Sequence, residues 1–168
     1  MTNGILYTPL QASEIDELAT VLQEDAVYEF IGGMPAQADV VLGLQNAIQG
    51  PPADTDGEYW INYVGRLVQT GEMIGRLEAT VHDGLAEVAF LYKSSFWGRG
   101  YASEGLLWLH EQLRRYIDVS SLWATTHPAN LRCAALLKRC GYLPVPTQGL
   151  PKLYSYDEGD IVFRRSVC

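Results

Sequence analysis

The stretch of this chain best suited to chemistry is Val88-Ala89-Phe90-Leu91-Tyr92-Lys93-Ser94-Ser95-Phe96-Trp97-Gly98-Arg99-Gly100-Tyr101-Ala102. An apolar strand runs into a loop holding two glycines, and a helix follows at once. Backbone amides at such a helix start face outward together, and the helix dipole favours negative charge there. Glycine lets a ligand come close to the main chain, and Arg99 adds a formal positive charge. That is the physics of a pyrophosphate cradle; the plainer reading is a tight strand-to-helix turn. Two familiar nucleotide loops do not fit. A Walker loop needs Gly-Lys-Ser/Thr, which is absent, and a dinucleotide fingerprint needs a third glycine where Ser103 stands.

The elements that must position this loop alternate between strands and helices. Residues 5–10 read as a short strand. Ser13 then reads as an N-cap with Glu14, Asp16 and Glu17 in the first turn, and Ile15, Leu18, Ala19 and Leu22 recur at helical spacing. Asp39 starts a second helix through Val40, Val41, Leu44 and Ile48, which Gly50-Pro51-Pro52 stops. The period then changes to two. Residues 59–69, 72–81 and 85–93 read as strands joined by Thr70-Gly71 and His82-Asp83-Gly84, and Asp-Gly is a strong hairpin turn. A helix over about residues 101–116, a strand over 121–126 and a helix over 130–140 ended by Gly141 follow. Strands over 142–145 and 160–165 complete the chain. The expectation is one α/β (α+β) domain over residues 1–168, with a mixed, mostly antiparallel sheet of about seven strands and about four helices.

Composition narrows the class. With 48% apolar and 19% charged residues the chain is neither disordered nor collagen-like. No apolar run approaches the ~20 residues of a membrane span. The start, Met1-Thr2-Asn3-Gly4, lacks the basic-then-apolar layout of a secretory signal. Cys133 and Cys140, on one expected helix, should sit about 10 Å apart, beyond disulfide reach. Cys168, the last residue, is expected to be mobile, and no Cys/His spacing suits zinc. A reducing cytoplasm is the expected location, with no metal.

The net charge of −8 argues against direct nucleic-acid binding. It is unevenly spread: residues 1–84 hold 13 Asp/Glu against Arg66 and Arg76 alone, a net of −11, while residues 85–168 carry a net of +3. Either the surface is unevenly decorated, or two surfaces meet partners of different charge.

Phe96-Trp97-Gly98-Arg99-Gly100-Tyr101-Ala102-Ser103-Glu104-Gly105 resembles motif A of the GCN5-related (GNAT) N-acetyltransferases, in the RimJ/RimL-like branch that acetylates ribosomal-protein N-termini. About 30 residues on, Asn130-Leu131-Arg132-Cys133-Ala134-Ala135-Leu136-Leu137-Lys138-Arg139-Cys140-Gly141-Tyr142 resembles that branch's second signature, and Pro128 before it fits too. The resemblance implies the GNAT fold and an acetyl-coenzyme A cosubstrate. The strand before the loop would splay from its neighbour, so that the main chain of Phe90, Leu91 and Tyr92 pairs with pantetheine. The amides of Gly98, Arg99, Gly100, Tyr101 and Ala102 would hold the pyrophosphate, with Lys93, Arg132 and Arg139 nearby. Asn130 would meet the pantetheine arm, cap the last helix, or do both.

Three positions depart from the family pattern. Ser95 stands where Arg or Gln is usual, Cys133 where the branch carries Ser, and Leu137 where many members carry a Tyr acid. Cys133 is read either as a proton donor to the leaving thiolate or as packing. The reaction implied is direct attack of a neutral amine on the thioester, which needs a base. Glu87 is the first candidate, provided that partial burial raises its pKa, and Glu78 is the alternative. His82 is expected to be exposed in its hairpin turn and His127 to be structural. Tyr28, Glu29, Phe30 and Ile31 would cover the acceptor site, and Trp60, Tyr63, Tyr154 and Tyr156 would wall it or lie in the core. Trp108 is expected to pack.

An enzyme acetylating a primary amine is therefore the leading reading, and a non-catalytic coenzyme A-binding domain is the alternative. A flavin or nicotinamide protein lacks a second binding feature. The acidic half would face a cationic acceptor, a protein N-terminus or a small amine. A symmetric homodimer is the default expectation for assembly.

Overall fold

The computed structural model describes residues 4–116 and 118–167, so Met1, Thr2, Asn3, Ile117 and Cys168 lie outside the described residues. The strands are β1 (Ile5–Pro9), β2 (Tyr59–Leu67), β3 (Met73–His82), β4 (Leu85–Tyr92), β5 (Ser121–Thr126), β6 (Leu143–Val145) and β7 (Ile161–Ser166). The helices are α1 (Ile15–Val21), α2 (Asp25–Tyr28), α3 (Gln37–Gln49), α4 (Tyr101–Leu113) and α5 (Leu131–Arg139). One seven-stranded sheet runs β1-β2-β3-β4-β5-β7-β6. Every pairing is antiparallel except β4 with β5, which the α4 crossover makes parallel.

Local chemistry explains most boundaries. The β3/β4 hairpin turns on Asp83 and Gly84, both at positive φ (48° and 75°), as a two-residue type I′ turn requires. Asn130 caps α5 by accepting the Cys133 N–H at 3.1 Å. The same helix closes on Gly141 at φ 87°, with Tyr142 N–H bonded to the Leu137 carbonyl and Gly141 N–H to that of Lys138.

Two expectations are corrected. Ser13 is not the cap of the first helix: a 3-10 turn over Ala12–Glu14 precedes α1, and the Glu14 carboxylate accepts the Gln11 N–H at 3.0 Å. The four-residue α2 follows α1, so the described residues hold five α-helices, in keeping with the expected fold. Helix α4 ends at Leu113 because Arg115 and Tyr116 bond three residues back instead of four, tightening the chain into a turn.

Alternation along the strands sorts the core between the two faces of the sheet. Leu77, Ala79, Ala86, Val88, Leu122 and Ala124 face the side covered by α4 and α5. Val64 and Met73 face the side covered by α1, α2 and α3. On that second face Leu85, Trp123 and Val162 are covered by Leu150, Leu153 and Tyr156 from the long β6–β7 connection. Among the described residues no helix is long and apolar enough to cross a membrane.

Candidate functional site

The feature that makes the site is a parting of two strands. β4 and β5 pair only through Leu85–Ser121, Ala86–Leu122 and Glu87–Trp123, and from Val88 onward they separate. The other edge of β4 stays paired with β3 up to Tyr92 opposite Gly75. Main-chain groups of β4 that face β5 beyond Glu87 therefore have no strand to meet. A cleft of about 970 Å³ opens there, lined by residues of both sheet faces. Its size is that of a cofactor site.

One end of the cleft is the glycine loop. Gly98 and Gly100 adopt φ of 74° and 84°, which side chains with a Cβ adopt only under strain, and a Cβ at either would meet nothing within 4 Å. Gly100 directly precedes α4, so the first N–H groups of that helix have no helical acceptor. Tyr101 and Ala102 line the cleft beside both glycines. The Trp97 indole N–H donates to the Tyr92 carbonyl at 2.8 Å and ties the loop to the end of β4. The Arg132 guanidinium lies 4.5 Å over the Trp97 ring, and Arg132 and Arg139 both line the cleft. The Arg99 side chain lies 5.5 Å over Phe96 and is not part of the lining. Lys93 points elsewhere, its ammonium 3.7 Å from Glu72.

Phe90, Leu91, Tyr92, Asn130 and Cys133 all line the cleft. Tyr92 does so while its ring is buried, its hydroxyl bonded to that of Tyr7 at 2.7 Å. Cys133 is half-buried, and burial raises its thiol pKa despite a hydrogen bond with Thr126. It is therefore a thiol, not a thiolate, at neutral pH. Leu137 is fully buried at the base.

Glu29, Phe30 and Ile31, from the loop after α2, also line the cleft, and Phe30 stacks on His127 at 5.7 Å. Glu78 lines it too, its carboxylate paired with Arg76 at 2.5 Å. Of the aromatics expected either to wall the site or to lie in the core, Trp60, Tyr63, Tyr154 and Tyr156, none is in the lining. Tyr63 packs edge-on against Trp108 at 4.8 Å, which also stacks on Tyr7, and Tyr156 packs on the outer cluster. Trp60 borders a separate hollow of about 180 Å³ with Asn62 and Arg76.

Glu87 and His82 depart most from expectation. Glu87 is buried, 6% exposed, yet it is not part of the cleft lining. Burial would raise its pKa, but hydrogen bonds from the Ser155 hydroxyl and N–H, the Tyr154 N–H and His82 outweigh that and hold it below the usual carboxylate value. Such a saturated carboxylate is a poor proton acceptor. His82, expected at the surface, is 3% exposed, with Nε2 2.6 Å from Glu87 and Nδ1 2.8 Å from Asp83. Burial opposes its charge, but the two carboxylates prevail and lift its pKa. Neither partner of Glu87 is legible in sequence, because Tyr154 and Ser155 lie 67 and 68 residues away. Among the described residues no cluster of His, Cys, Asp and Glu is placed to hold a metal ion.

A family model described as an acetyltransferase (GNAT) domain matches residues 5–143. Among curated proteins, none matches the sequence. Solved structures match over nearly the whole chain. An acetyltransferase from Salmonella typhimurium that modifies the N-terminal serine of ribosomal protein L7/L12 is similar with a TM-score of 0.76 at 17% identity, covering 98% of this chain and 95% of its own. Aminoglycoside acetyltransferase AAC(6')-Ib in complex with coenzyme A is similar with a TM-score of 0.73 at 19% identity, over 96% and 94%. An acetyltransferase from Agrobacterium tumefaciens str. C58 is similar with a TM-score of 0.73 at 22% identity, over 98% and 92%.

Proposed function

Because this chain belongs to the GNAT acetyltransferase family, we propose that it moves the acetyl group of acetyl-coenzyme A onto a cationic primary amine by direct attack in a ternary complex. The observation that carries the reading is the parting of β4 from β5 after Glu87, which joins the glycine loop to the Glu29 and Glu78 carboxylates through one cleft.

The residues present fit the cosubstrate. Open space at Gly98 and Gly100 and the free amides at the start of α4 suit a pyrophosphate, held by the N–H groups of Gly98, Arg99, Gly100, Tyr101 and Ala102. The edge of β4 that no longer meets β5, along Phe90, Leu91 and Tyr92, pairs with the pantetheine arm, beside Asn130. The thioester supplies an activated acyl carbon. Glu78, on the lining, takes the ammonium proton in place of the saturated Glu87. Cys133, held as a neutral thiol, returns a proton to the departing thiolate. Glu29 on the lining, together with the acidic balance of residues 1–84, favours an acceptor with positive charge beyond its amine. The neighbours act on a ribosomal-protein N-terminus and on aminoglycosides, and both acceptor classes are amines.

The test is thiol release from acetyl-coenzyme A with a free-N-terminal peptide, a polyamine, an aminoglycoside and a free amino acid. Turnover of a basic acceptor is expected, with Glu78→Gln lowering kcat about 10²–10³-fold at neutral pH and alkaline pH restoring rate. Tight acetyl-coenzyme A binding without turnover of any acceptor would favour the non-catalytic reading. An unchanged Glu78→Gln profile would remove Glu78 as the base.

A further inference from the structure

Glu87 occupies the last rung at which β4 still pairs with β5, at the vertex where the cleft begins. Its side chain points to the sheet face that carries Trp123 and the β6–β7 connection, away from α4 and α5. All its hydrogen bonds go to two places. Oε2 accepts from His82 Nε2 at 2.6 Å and from the Tyr154 N–H at 2.9 Å. Oε1 accepts from the Ser155 N–H at 2.9 Å and the Ser155 hydroxyl at 2.7 Å. A carboxylate has about four lone-pair sites, so this one is saturated.

The segment it grips is held from other sides as well. The Thr125 hydroxyl donates to the Ser155 carbonyl at 2.9 Å. The Tyr154 ring stacks on His82 at 4.2 Å, and its hydroxyl donates to Glu58 at 3.1 Å. Apolar Leu150, Leu153 and Tyr156 pack on Leu85, Trp123 and Val162. Yet residues 146–160 contain no helix or strand, so side chains must supply the order that a backbone ladder would give elsewhere. Ser155, in the middle of the grip, lines the cleft on the face that also presents Glu78.

We propose that Glu87, braced by His82, is a positioning residue that fixes the segment carrying Ser155, which lines the cleft, so that it governs acceptor binding rather than proton transfer. The inference rests on the reading that the cleft takes acetyl-coenzyme A at the glycine loop and an amine beside Glu78. A saturated carboxylate that is not itself part of the lining does not exchange a proton with an amine there. Removing its charge-assisted bonds frees that segment while leaving the glycine loop and Cys133 untouched.

Glu87→Gln tests this, since the amide keeps the shape but turns an N–H₂ toward backbone donors. Amide hydrogen exchange of the whole protein should accelerate at least tenfold at Tyr154 and Ser155 and stay unchanged in β7. With the peptide or aminoglycoside that the wild-type protein acetylates, acceptor KM should rise about 10-fold or more. kcat should stay within about threefold, its pH profile should keep its shape, and the acetyl-coenzyme A KM should be unchanged. Ser155→Ala, a milder change that keeps the carboxylate, should move acceptor KM in the same direction by a smaller factor. Unaltered exchange at Tyr154 and Ser155 overturns the proposal whatever the activity. So does a fall in kcat that alkaline pH restores, which would return Glu87 to the role of base. If the wild-type protein neither binds acetyl-coenzyme A nor acetylates an amine, the reading of the cleft fails instead, and the exchange result shows that failure to be separate.

Discussion

Substituting Gly105 by Ala should unseat the strand that carries the cleft. Gly105 lies in α4, directly over the hydroxyls of Tyr7 and Tyr92, and a Cβ there would run into both. Neither ring can retreat. Tyr92 is 3% exposed and is closed in from the other side by Gly75, whose own Cβ would come within 2.5 Å of Tyr92 Cδ1. Tyr7 is stacked on Trp108 at 4.9 Å. Overpacking a rigid site costs about 1–3 kcal/mol. Separating the 2.7 Å hydroxyl pair in a buried place costs about 1–3 kcal/mol more. The middle of that range, about 4 kcal/mol, lowers Tm by about 8–16 °C for a chain of this size.

The effect should reach the site, because Tyr92 ends β4 and its carbonyl holds the Trp97 indole of the glycine loop. Weaker acetyl-coenzyme A binding by calorimetry should accompany the lower Tm. Tyr7→Phe with Tyr92→Phe removes both oxygens and opens room for the methyl. The triple variant should therefore regain at least about 2 kcal/mol over Gly105→Ala alone, since replacing both partners of a hydrogen bond by apolar groups is close to neutral. Gly105→Ala within about 0.5 kcal/mol of the parent in denaturant titration, or a triple variant no better than the single, would refute the argument.

Two further outcomes follow from buried titratable groups. His110 donates from Nε2 to the Tyr142 hydroxyl at 2.7 Å and accepts at Nδ1 from Arg165 at 2.6 Å; burial, then the charges of Arg165 and Arg114, push its pKa down to about 3. The unfolded chain binds this proton near pH 6.5 and the folded one does not, so stability falls as pH drops below 6.5. The loss is about 2 kcal/mol at pH 5. Urea titrations at pH 8 and pH 5 should show it, and a His110→Gln variant should lack it; equal slopes would refute the neutral assignment. For the acid role of Cys133, Cys133→Ala should lower kcat about 10-fold or more, while Cys133→Ser keeps most of it, with acetyl-coenzyme A affinity unchanged in both. Equal kcat in all three proteins would leave Cys133 as packing.

The glycine loop and the caps of α5 were readable because their determinants are local. Gly98 and Gly100 are needed for positive φ, Asn130 caps the helix it precedes, and Gly141 closes it, each within a few residues of the structure it causes. The meander was readable for the same reason, through Asp83-Gly84 and strand alternation. The placement of the aromatics was not. Alternation says that Tyr63 faces one side of the sheet, but which side meets the acceptor depends on where α3 and α4 pack.

The two acids of the meander mark the limit most sharply. Glu78 and Glu87 both lie on the sheet face away from α4 and α5, and sequence alone ranks them by resemblance only. Tertiary structure separates them, because the β6–β7 connection returns 67 residues later to saturate one carboxylate and leaves the other lining the cleft. A proton affinity is set by the donors around a group, and those donors came from distant chain. Turn chemistry and strand alternation by themselves determined a glycine loop between a strand and a helix on a mixed sheet, and the sequence a split of charge between halves. Which carboxylate is saturated by donors, and which lines the cleft, was decided only when the chain closed on itself.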